Sequence, residues 1–88
     1  MSELREQAAT GREARSLMEH PVLASAFATI RRRCVQRWEE AEIDEVGVQH
    51  AAKMELHALE ALERQLRILV DNGSVAESIL RAREVRET

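Results

Sequence analysis

The 88-residue sequence predicts an all-α fold, a small helical bundle built on a long antiparallel αα-hairpin with shorter N- and C-terminal helices. Three observations lead there. Phe27 and Trp38 are the only aromatic residues, and three Gly and one Pro leave few turn formers, which argues against a β-sandwich or barrel. Ala, Leu, Glu and Arg, all good helix formers, dominate the rest. Apolar residues recur at three- and four-residue spacing over most of the chain. The length fits one domain, 1–88, with fraying at 1–10 and 84–88.

The first helix is expected from about Glu3 to Glu19. Thr10 and Glu13 have capping-box spacing beside Gly11, so a break there would leave Arg12–Glu19 as a separate short helix. His20-Pro21 starts the second helix, because proline is tolerated where the first-turn N–H has no helical partner. That helix runs to about Ala41, with Leu23, Phe27, Ile30, Cys34, Trp38 and Ala41 on one apolar stripe. Asp44 is the expected N-cap of a third helix, which runs to about Asp71. Asn72-Gly73 reads as its stop, since both residues tolerate left-handed geometry. Ser74 and Glu77 then have capping-box spacing for a last helix, about Val75 to Arg86.

Helix three carries two apolar lines. Val48, Ala52, Leu59, Leu62, Leu66 and Leu69 form one, interrupted by Glu55, and suit the stripe of helix two. His50, Met54, His57, Ala61 and Ile68 form the other, roughly 140° round the axis. A terminal helix or a second molecule must cover this second line, since oligomerisation is a common way to complete a small core. These five residues are the expected interface, with the chain itself or another protein as partner.

The charge balance is mild. Thirteen basic residues, all Arg except Lys53, stand against sixteen acidic ones, for a net −3. Such a surface gives no general attraction to nucleic acid or anionic membrane. The Arg31–Arg33 run and Arg37 are the best nucleic-acid candidates, with Arg32, Arg33 and Arg37 as contacts. Consecutive side chains fan out over about 200°, however, and Glu39, Glu40 and Glu42 follow close enough to neutralise them.

Little points to catalysis. His50 and His57 stand about 10 Å apart along a helix, too far for one metal. No Glu precedes any His by three positions, as di-iron bundles require. Cys34, the only cysteine, lies in the apolar stripe of helix two, where cysteine acts as a small hydrophobe. There is no phosphate-cradling glycine loop or nucleophile elbow. The expectation is a non-enzyme with no cofactor and no metal. The opening residues form no leader, and no apolar run approaches the roughly 18 residues of a membrane span, so a cytoplasmic location is expected.

Gly11-Arg12, Leu17, Pro21-Val-Leu23, Ala26-Phe27 and Trp38, followed by the Asp71-Asn72-Gly73 turn, give a pattern across about residues 11–80. In this the chain resembles a group of small, poorly characterised proteins of tailed bacteriophages and prophages. It departs from that group at Ser74, where Lys commonly follows the turn glycine, and in lacking a Tyr between Phe27 and Trp38. The resemblance implies a helical accessory or structural role in the virion or its assembly, among head and packaging genes. Location would then be the bacterial host cytoplasm or the assembled virion. A DNA-packaging accessory role is the alternative, through the Arg31–Arg37 cluster. No catalytic residue carries over.

Overall fold

A computed structural model describes residues 2–87; the ends of the 1–10 and 84–88 segments expected to fray, Met1 and Thr88, lie outside them. The protein is all-α. Among the described residues three helices follow in order: α1 (Ser2–Glu19), α2 (Pro21–Glu40) and α3 (Val46–Glu87). The described residues fall into two compact units. One comprises the residues up to Glu19 with those from Arg64 on, and the other comprises His20–Glu63.

Two expected boundaries are absent. α1 runs through Thr10-Gly11 without a break, and α3 runs through Asn72-Gly73 for 42 residues, so there is no separate C-terminal helix. No described residue, glycine included, has a positive φ. The reason lies in the first unit, where Gly11 and Gly73 meet. A Cβ on Gly11 would lie 2.7 Å from the Gly73 Cα and 2.9 Å from the Leu69 carbonyl oxygen. A Cβ on Gly73 would lie 2.7 Å from the Gly11 Cα and 3.0 Å from the Gln7 carbonyl oxygen. These glycines are placed where two helix backbones touch, not where a helix ends. Each costs its helix about 1 kcal/mol relative to Ala, and close packing offsets that.

Small residues extend the contact. Ala8, Ala14 and Ala76 are buried beside the glycine pair. On α1 the positions 4, 8, 11, 14 and 18 form one stripe at helical spacing, with Leu4 and Met18 half-buried at its ends. Ser74 and Glu77 are consequently not caps. Arg15 donates to the Ser74 Oγ at 3.2 Å, and Arg12 pairs with Glu77 at 2.9 Å.

In the second unit α2 starts as its sequence predicts. His20 caps it in extended geometry, its Nδ1 accepting from the Val22 N–H at 3.2 Å, with Pro21 in the first turn. The helix ends at Ala41, which turns extended while its N–H donates to the Arg37 carbonyl at 3.1 Å. Glu45, not the expected Asp44, precedes α3. Its carbonyl accepts from the Gln49 N–H, and its carboxylate accepts from the Glu42 N–H at 2.9 Å. The Glu45 side chain reaches back three residues to close the turn.

The core of this unit is thin. Cys34, Ala52 and Leu59 are its buried residues, and Phe27, Leu23 and Leu56 are half-buried. Two cross-helix ion pairs flank them, Arg31 with Glu63 and Arg37 with Glu55. Position numbers rise along α2 as they fall along α3 in these pairs.

Candidate functional site

The most developed cluster of side chains lies in the second unit. Cys34 and Arg37 stand one turn apart on α2, and both reach Glu55 on α3. The Arg37 guanidinium donates to the Glu55 Oε2 at 2.9 Å, and the Cys34 thiol donates to the same oxygen at 3.7 Å. Glu55, which interrupts the apolar line of helix three in the sequence, therefore has a cross-helix role.

The electrostatics oppose a reactive thiol. Burial raises the Cys34 thiol above its ordinary 9.0, and the adjacent Glu55 charge raises it further. The hydrogen bond and the positive charge of Arg37 hold the Glu55 carboxyl below its ordinary 4.5. At neutral pH the arrangement is a protonated thiol beside an ionised carboxylate. That favours packing over nucleophilic attack.

Both shifts have consequences for stability. The folded Glu55 value is depressed, so its contribution is present above pH 4.5 and is lost as pH falls through the lowered value. The folded Cys34 value is raised, so the unfolded chain loses its proton first and stability declines as pH rises past 9.0. In thermal melts, the Glu55→Gln variant is expected to lose less stability than the native chain on acidification below pH 4.5. Identical acid limbs would contradict the role given to the Arg37–Glu55 pair.

Beside this cluster Cys34, Trp38, Ala52, Lys53, Leu56 and His57 line an open apolar cleft of about 190 Å³. Trp38 is 53% exposed, so the cleft presents a large aromatic surface. His57 and Cys34 share this lining although 23 positions separate them, a neighbourhood invisible in the sequence. Among the described residues no group of three or more His, Cys, Asp or Glu is placed to hold a metal ion.

The expected interface residues are all exposed. His50, Met54, His57 and Ala61 are exposed in the second unit and Ile68 in the first, with Met54 at 58%. The expected line of the hairpin partner is mixed: Ala52 and Leu59 are buried, whereas Val48 and Leu62 are exposed. Of the arginine cluster, Arg31 and Arg37 are neutralised by α3 rather than by Glu39, Glu40 and Glu42. Gln36 takes Glu40 instead, at 3.0 Å. Arg32 and Arg33 are exposed and form no ion pair among the described residues. No described helix is long and apolar enough to cross a membrane.

No protein-family model, curated protein or solved structure matches the chain.

Proposed function

We propose that this is a non-catalytic helical protein that acts by protein–protein interaction, as a structural or assembly component. Its second unit is read as an antiparallel αα-hairpin of α2 with the first half of α3. The observation that carries the functional reading is the exposure of large apolar side chains on α3, Met54 among them, on the side away from buried Ala52 and Leu59. A helix apolar on two sides is ordinarily packed on both. The resemblance to small tailed-phage proteins supports a role in a virion head or its assembly, which would place the chain in a bacterial cytoplasm or a particle.

The second reading, a nucleic-acid-binding accessory, draws on the free Arg32 and Arg33. It is weaker, because Glu63 and Glu55 neutralise Arg31 and Arg37. The two readings separate in one experiment. A photo-reactive residue at Met54 is expected to cross-link to protein in expressing cells, and the same residue at Glu39 is not. Absence of any protein cross-link at Met54 would refute the interaction reading. Salt-dependent DNA binding lost on replacing Arg32 and Arg33 would favour the alternative.

A further inference from the structure

The continuity of α3 through Asn72 places a heptad seam on one face of its C-terminal half. In the first unit Gln65, Ile68, Asn72, Val75, Ile79 and Ala82 alternate at three- and four-residue spacing, and all six are exposed. In the sequence the same spacing runs back through Ala61, Ala58, Met54 and Ala51. Gly73 is buried about 100° round the axis, where α1 packs, and buried Ala76 lies between that contact and the seam, so the two faces adjoin without sharing a seam residue. Apolar residues repeating every 3.5 positions on an exposed helix face are what a two-stranded coiled coil buries.

We infer that a second copy of this chain covers the seam, with the two α3 helices parallel and in register. This rests on the protein-interaction reading above and names its partner. The two amides select that occupant. An unrelated apolar helix would leave Gln65 and Asn72 facing groups that cannot hydrogen-bond, which is unfavourable once water is excluded. A second copy in parallel register sets Asn72 against Asn72 and Gln65 against Gln65. Each side-chain amide both donates and accepts, so each meets its complement. A polar residue in the seam fixes register and oligomeric state in this way. The residues flanking the seam put no like charges together: the parallel arrangement brings Arg64 near half-buried Leu69, Asp71 near Ala76, which α1 already covers, and Ser78 near Arg83 of the second copy.

The seam is available: Ile68 is 42% and Val75 60% exposed, so their apolar side chains are open to a partner helix.

Sedimentation equilibrium of the full chain at tens of micromolar concentration tests the inference. The native chain is expected at twice 10.0 kDa. Ile68→Glu and Val75→Glu alter exposed positions, so helicity by circular dichroism should persist while the dimer dissociation constant rises more than about a hundredfold. Val22→Glu, exposed on α2 and off the seam, should leave the dimer intact. For orientation, Ala82→Cys in a Cys34→Ala background should cross-link on mild oxidation. A native monomer, or a dimer insensitive to both seam variants, would overturn the inference. A seam-dependent dimer whose Ala82→Cys variant does not cross-link would overturn the parallel register. A Met54 cross-link to a different protein, with a monomeric native chain, would leave the interaction reading standing and remove this one.

Discussion

Gly73→Val is expected to destabilise the first unit by about 2–3 kcal/mol, the range of a substitution that overfills a tight contact. The atoms in the way are the Gly11 Cα and the Gln7 carbonyl oxygen, both backbone, so no side chain can rotate aside. Gly11→Val should cost a similar amount, because a side chain there meets the Gly73 Cα and the Leu69 carbonyl. The two effects should not add. Once either valine has separated α1 from α3, the second has little contact left to disrupt, so a double-mutant cycle should show coupling of about 1 kcal/mol or more. Gly47→Ala provides the opposite sign. Nothing lies within 4 Å of a Cβ there, so higher helix propensity should stabilise the chain by about 0.5 kcal/mol. Chemical denaturation of the four variants checks the set. Additive costs at Gly11 and Gly73 would contradict a direct contact.

Leu59→Ala is the second large effect, expected to destabilise the second unit by about 2–3 kcal/mol through lost burial and the cavity left behind. Leu59 is 7% exposed and is the largest aliphatic side chain buried in that unit, where Ala52 and Cys34 are its buried companions. A core this thin has no redundancy. Leu62, three positions on, is 51% exposed. Leu62→Ala should therefore cost well under half as much in the same measurement. Equal costs would contradict the assignment of the buried face.

These expectations also mark what the sequence made legible. The helical class follows from composition and periodicity, and the start of α2 follows from proline's missing N–H and the restriction it places on His20. The interior of α3 departs from the sequence expectation for a specific reason. Asn-Gly favours left-handed geometry in an isolated segment, but Gly73 is selected by its missing Cβ at a crossing with Gly11, 62 positions away. Only pairing the two apparent breaks, each flanked by Ala at helical spacing, would have suggested a contact in place of two turns. The heptad seam is not legible with a helix end at Asn72, because its register passes through that residue.

The candidate site divides in the same way. Periodicity identified Met54, Ala61 and Ile68 as apolar positions outside the main stripe, and all three are exposed. Glu55 read as an interruption, because its partners Cys34 and Arg37 sit on another helix. Sequence spacing pairs the arginine cluster with the nearest glutamates, whereas cross-helix geometry supplies Glu63 and Glu55. Pairings between helices depend on which faces meet, and helical spacing within one segment does not specify that.

The glycine crossing and the seam both require α3 to be one helix across Asn72-Gly73. NMR of the full chain tests this directly. The prediction is helical carbon chemical shifts without interruption from Val46 to Glu87, together with a nuclear Overhauser contact between the Gly11 and Gly73 α-protons. A positive φ at Gly73 with loss of helical shifts at Asn72, and no contact to Gly11, would contradict it.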